Sequence, residues 1–99
     1  MAEKPTISRM YPRLVVSNAA EAIDFYIAAF GARETARDHG PDEKIVHAEL
    51  DFGGYTVAVK DEGDGDPAPT TLGGSAVIIA LDVNDAERWG SRWSRLAAR

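Results

Sequence analysis

Apolar positions along the chain follow two periods. Between Asn18 and Gly31 they recur every three or four residues, at Ile23, Tyr26, Ile27 and Phe30, which predicts one buried helix face. Asn18 suits an N-cap, Glu21 three residues on completes a capping-box-like pair, and Gly31 stands where a left-handed C-cap belongs. Elsewhere the period is two. "KIVHAELDF" alternates, with Val46, Ala48 and Leu50 on one face and His47, Glu49 and Asp51 on the other. Gly53–Gly54 then predicts a tight hairpin into "YTVAVKD".

Upstream, "SRMYPRLVVS" predicts a strand from Ser8 to Ser17. Tyr11, Arg13 and Val15 share one face of it. Pro12 lacks a ladder donor and points to a sheet edge or a bulge. "ARETARDHG" reads as a polar, one-side-exposed strand and Gly40–Glu43 as a turn. The order is β-α-β-β-β. "EGDGDPAPTTLGG" has no periodicity and reads as a linker. "SAVIIALDV" is expected to be a buried strand, and "NDAERW" to open a second helix.

This second strand and helix echo the first. Matching Val16 to Val83 and Asn18 to Asp85 brings Leu14 onto Leu81 and Ala19 onto Ala86. The expected fold class is therefore α+β: a βαβββ module plus a partial second βα module. Its expected parts are residues 1–62, a linker over 63–74, and a shortened second module over 75–99.

Charge changes this picture at the C-terminus. Residues 86–99 carry Arg88, Arg92, Arg95 and Arg99 against Glu87, in a chain whose net charge is −5. The acidic body argues against nucleic acid as a partner. Trp89, Trp93 and Leu96 recur at helical spacing, which predicts either packing on the sheet or a basic amphipathic surface helix. A third reading is a change of frame near Ala86: in GC-rich codons, the same bases read two later give "GAVGEPVVAAGGE". The absence of cysteine excludes disulfides and thiolate chemistry. No apolar run at the N-terminus predicts a signal peptide, and no stretch has the length of a membrane span, so a cytoplasmic protein without membrane partners is expected.

"LVVSNAAEAIDFYIAAFGA" and "HAELDFGGYTVAVKDE" together resemble the glyoxalase/bleomycin-resistance/dioxygenase superfamily (vicinal oxygen chelate), in particular its PhnB-like branch. The resemblance runs over roughly residues 8–86. It implies paired βαβββ modules enclosing a small-molecule cleft, with a divalent metal in the lyases, isomerases and ring-cleaving members and none in the drug binders. Family metal sites use a His on the first strand of each module and a Glu, Gln or His on the last. The matching positions here are Tyr11, Ile78 and the pair Lys60 and Asp61, so no family-type metal and no other cofactor is expected. A divalent metal in a site completed across a dimer, serving a glyoxalase-like lyase or dioxygenase, is the alternative.

The ligand-binding candidates are Tyr11, Arg13, His47, Glu49 and Lys60. His47 and Glu49, two apart on a strand, suit acid–base or ligand contacts, or else a solvated sheet face. Arg13 with Tyr11 suits a clamp on an anionic or carbonyl-bearing ligand, or else a salt bridge to a neighbouring strand. "DEGDGD" lacks the twelfth-position Glu of a calcium loop and reads as acidic linker. The expected function is small-molecule binding in a sheet-lined cleft. A homodimer, in one form with exchanged elements, would bury the exposed sheet edge. An interaction fragment acting through the basic C-terminal helix is the remaining alternative.

Overall fold

Asn18 and Gly31 end the first helix as their chemistry requires. The Asn18 side chain accepts from the Glu21 amide at 3.1 Å, and Gly31 takes φ 68° while its N–H donates to the Ile27 carbonyl at 3.0 Å. Between them lies α1, Ala19–Phe30. The computed structural model describes residues 4–97, and the side chains only as far as 93.

Around α1 the chain forms β1 (Arg13–Val16), β2 (Arg33–His39), β3 (Ile45–Phe52) and β4 (Tyr55–Asp61). They make one sheet in the order β1-β4-β3-β2, with β1 parallel to β4 and the other pairs antiparallel. The β-α-β-β-β reading holds. β1 is shorter than the expected Ser8–Ser17 and lies at an edge of the sheet. Only the carbonyl of Pro12 extends its ladder, accepting from the Ala58 amide at 2.9 Å, since proline has no N–H to give.

Register divides the sheet into two faces, because directly paired residues share one. Leu14, Val59 and Ala48 pair in a row across three strands. Val59 and Ala48 join Ile23, Ala19, Leu50, Ala32 and Ile45 in the core cluster under α1, with Val16, Tyr26 and Phe52 packed against it. Ile45 stands in the core where alternation had put Val46, next to a register shift between β2 and β3 at Asp38/His39. The aromatics of α1 extend the packing through Tyr26–Phe52 and Phe30–Phe52, at centroid separations of 6.0 and 5.7 Å. Ile27, expected on the buried face, is half exposed.

Three elements meet at Asp61. One carboxylate oxygen accepts from the Ala19 amide at 2.7 Å and the other from the Ile45 amide at 2.8 Å. A single side chain therefore ties the start of α1 and the start of β3 to the end of β4.

Beyond β4 two expectations fail. The linker holds a short helix, α2 (Pro69–Leu72), which rests on β1. Glu62 secures it, accepting from the Thr71 hydroxyl at 2.7 Å and the Ala68 amide at 3.1 Å. These two donors hold the Glu62 carboxyl below its ordinary pKa, the hydroxyl foremost. The expected buried strand over 75–83 does not form. Its residues are exposed, Ile78 at 90%, and none belongs to a ladder. A β-branched run becomes a strand only beside another strand, and among the described residues none pairs with this one.

Helix α3 (Ala86–Ala97) does form, opened by Asp85 accepting from the Arg88 amide at 3.2 Å. It packs on α1, not on the sheet. Trp93 packs at a tilt against Phe30, ring centroids 5.0 Å apart, and donates Nε1–H to the Ala29 carbonyl at 2.8 Å, while Arg92 donates to the Ala28 carbonyl. These donors satisfy the last carbonyls of α1, and the Arg92 cation sits at the negative end of its dipole. Arg99 and the side chains of Arg95 and Leu96 lie outside the described residues.

Candidate functional site

The second face of the sheet carries the candidate chemistry. Arg13 pairs with Ala58 and Ala58 with Glu49, so the three form one row across β1, β4 and β3. Val15 and Lys60 make the next row. His47 is two residues from Glu49, so strand alternation gives both the same face. Tyr11 reaches it from just before β1, its ring 6.5 Å from the His47 ring in an edge-on arrangement.

Glu49 is the hub. Its carboxylate accepts from Arg9 at 2.9 and 3.4 Å and contacts His47 Nε2 at 2.9 Å. Arg9 also lies over the Tyr11 ring, 4.5 Å from its centroid. These contacts pull the Glu49 carboxyl from its ordinary 4.5 to about 2, the Arg9 hydrogen bond first and the His47 bond second. Arg9 was missed among the candidates. The signal is present in "RMYPR", where Arg9, Tyr11 and Arg13 stand two apart and so fall on one side of an extended chain.

The depressed value has a consequence for stability. A carboxyl more acidic in the fold than in the open chain stabilises the fold above its open-chain pKa. That contribution fades as pH falls from 4.5 toward about 2. Thermal melts of Glu49→Gln and the native chain are expected to differ at pH 7 and to converge between those two values. A gap that stays constant down to pH 2 rules out the ionised hub.

Arg13 and Lys60 also belong to this face but are partly engaged. Arg13 donates Nη2–H to the Val46 carbonyl at 2.7 Å, a path from β1 to β3 that crosses β4. Lys60 is 5% exposed, and its ammonium donates to Asp66 at 2.7 Å and to the Gly63 carbonyl at 3.2 Å. The Asp66 carboxyl is held below its ordinary pKa, chiefly by that Lys60 bond, with a smaller contribution from the Arg13 charge. Lys60 thus pins the 63–66 turn, its ammonium bonded to two acceptors there.

Among the described residues no cluster of three or more His, Cys, Asp or Glu side chains is placed to hold a metal ion. His47 and Glu49 supply two donors, and Glu49 is already charge-paired with a guanidinium. Asp61 points its oxygens at two backbone amides. Ile78, at the position matching Tyr11, has no donor atom. Among the described residues, the donors at these positions do not make up the family's divalent-metal set.

Two hollows among the described residues lie elsewhere. One, of about 410 Å³, is lined by Val16, Asn18, Glu21 and Phe25 among others. One of about 330 Å³ lies between Asn84, Asp85, Arg88, Trp89 and Arg92. Neither includes His47 or Glu49, which lie on the sheet face turned away from α1 and form one open wall. No described helix is long and apolar enough to cross a membrane.

A helix backed by a β1-β4-β3-β2 sheet with a polar opposite face is one module of a known family. The chain belongs to the Glyoxalase/Bleomycin resistance protein/Dioxygenase superfamily, whose family model matches residues 8–98. It is 47% identical over 81 residues to an uncharacterized protein of Mycobacterium bovis, a match covering 77% of this chain and 53% of that protein. The chain spans about half the length of the curated relatives it matches. Among solved structures it is similar to TioX from Micromonospora sp. ML1, with TM-score 0.60 and 27% identity over 89% of this chain and 69% of that one. It is also similar in fold to the fosfomycin resistance protein FosX from Listeria monocytogenes, complexed with Mn(II) and sulfate. That match has TM-score 0.69 and 13% identity over 93% of this chain and 74% of that one.

Proposed function

We propose that this chain binds a small anionic molecule on the sheet face bearing Tyr11, Arg13, His47 and Glu49, without a family-type metal. The observation that carries the reading is the Arg9–Glu49 pair. On this face Glu49 is paired with Arg9, Asp51 with Arg33 and Asp66 with Lys60, while the Arg13 guanidinium donates to the Val46 carbonyl and has no ion-pair partner among the described residues. A guanidinium left without a carboxylate beside a polar aromatic rim is a recognition feature, and its planar fork suits carboxylate or phosphonate oxygens.

The open wall needs an opposite wall. A second copy of the chain supplies it in this reading, giving a homodimer whose two sheets enclose the ligand, as paired modules do in this family. The mass of the chain in solution, by light scattering, tests that part.

Binding is tested by titrating methylphosphonate and lactate into isotopically labelled protein, with glycerol as neutral control. Amide shifts are expected in β1, β3 and β4 with the anions. Arg13→Gln is expected to weaken affinity about tenfold, the scale of one partly solvated charge-assisted hydrogen bond. Equal responses to glycerol and the anions, or shifts confined to α3, overturn the reading. A response that needs added Mn(II) and vanishes with chelator supports the metal-dependent lyase or dioxygenase instead. The basic-helix alternative loses ground, because Arg92 and Trp93 are occupied in capping α1.

A further inference from the structure

Glu49 makes two contacts of different kinds, and together they determine the state of His47. With Arg9 on both its oxygens the carboxylate is ionised and can only accept. The 2.9 Å contact to His47 Nε2 is therefore a hydrogen bond donated by the imidazole. In the neutral ring the proton is on Nε2 and the lone pair on Nδ1. Nδ1 makes no hydrogen bond to any described residue, and no side-chain nitrogen among them is both buried and unpartnered. The lone pair is presented openly.

The same sheet face also carries a cation. The Arg13 guanidinium is 2.7 Å from the Val46 carbonyl oxygen, and that carbonyl belongs to the peptide bond leading into His47. Tyr11 flanks the ring on another side. A proton acceptor and an anion receptor are thus carried on one sheet face by residues from two segments of the chain, 9–13 and 46–49.

We infer that the site is built for a small anion that also carries an exchangeable proton, such as a 2-hydroxy acid. Arg13 takes the anionic end, His47 Nδ1 accepts the hydrogen bond or the proton, and Arg9 and Glu49 act as positioning residues that hold the tautomer. This rests on the anion-binding reading above and adds to it the direction of proton transfer and a second recognition point.

The chain has no cysteine and two histidines, so a haloacetate reports on imidazole nitrogens with little competition. Bromoacetate is the probe. The Nδ1–carbon bond forms as the carbon–bromine bond breaks, and bromide and one proton leave to solvent. His39, exposed on β2, is the internal control.

His47 is expected to be carboxymethylated on Nδ1 at least tenfold faster by bromoacetate than alkylated by neutral bromoacetamide, while His39 shows no such preference. Arg13→Gln is expected to bring the His47 ratio close to that of His39. In Glu49→Ala, checked as folded by its amide spectrum, the product is expected to become a mixture of Nδ1 and Nε2 adducts. Arg9→Met is expected to move in the same direction, with Arg9→Lys restoring most of the selectivity. Nitrogen-detected spectra of the unmodified protein are expected to show the Nε2–H tautomer.

Two results overturn the inference, and they can be told apart. Modification of the native chain on Nε2, or an Nδ1–H tautomer, removes the positioning role of Arg9 and Glu49. Modification on Nδ1 at equal rates by both reagents leaves the tautomer in place. It removes the anion receptor, and with it the proposed function and ligand class.

Discussion

Asp61→Ala is expected to be among the most destabilising single substitutions in this chain. Its carboxylate accepts from the Ala19 and Ile45 amides at 2.7 and 2.8 Å in partly buried surroundings. Alanine leaves both N–H groups without a partner. An unsatisfied buried donor costs about 1–3 kcal/mol, so the two together cost on the order of 4 kcal/mol. That is a large part of the whole stability of a small domain, about 5–15 kcal/mol. A domain of this size loses about 4–8 °C of Tm per kcal/mol, so melting should fall by about 15 °C or more. Asp61→Asn retains one acceptor and turns an amide N–H toward the other donor, and should lie between. Asp24→Ala, at an exposed position of α1, should change stability by less than about 0.5 kcal/mol. If Asp61→Ala melts within about 3 °C of the native chain, the carboxylate does not join the three elements.

The second large effect is an ordering of variants. Lys60 places an ammonium at 5% exposure, held by Asp66 and the Gly63 carbonyl. Removing the acid strands a buried charge, whereas removing the charge itself leaves an apolar chain of similar volume. Asp66→Ala should therefore lower Tm more than Lys60→Met, and adding Lys60→Met to Asp66→Ala should restore part of the loss. The difference also depends on pH. The Asp66 carboxyl is more acidic in the fold than its ordinary 3.8, so its contribution is complete above that value and fades as pH falls below it. Thermal melts of the three variants from pH 7 to pH 2 check both statements. Asp66→Ala melting above Lys60→Met at pH 7 means that the ammonium is solvated and the pair is superficial.

Much of the fold is legible in particular residues. Asn18 and Gly31 mark the ends of α1 because a cap needs a short polar acceptor at one end and φ above zero at the other. Gly53 and Gly54, at φ 64° and 100°, make the β3–β4 turn for the same backbone reason. The alternation of β3 places His47 and Glu49 on one face before any neighbour is known. Arg13, Lys60, His47 and Glu49 share that sheet face, and Tyr11 stands against the His47 ring.

What local pattern does not show is who the partners are. Arg9 and Glu49 are forty positions apart, and Arg92 and Trp93 meet the end of α1 across sixty-four. The run "SAVIIALDV" has the composition of a strand, yet a strand is a relation between two segments, and no ladder receives it here. The acidic linker has the composition of a solvated loop, yet Asp66 holds Lys60 and Glu62 holds Thr71, contacts that no local pattern marks.

By itself the sequence determined β1 to β4, α1 and α3 and their order. Caps, turns and hydrophobic periods act within a few residues, and their physics is complete at that range. Only the tertiary structure decided which groups face one another: that Asp61 clamps two amides, that Arg9 ionises Glu49, that Glu49 in turn orients His47. Hydrogen bonds and charge pairs act over a few ångströms of space, whatever the distance along the chain, and so they exist only once the sheet has brought those residues together.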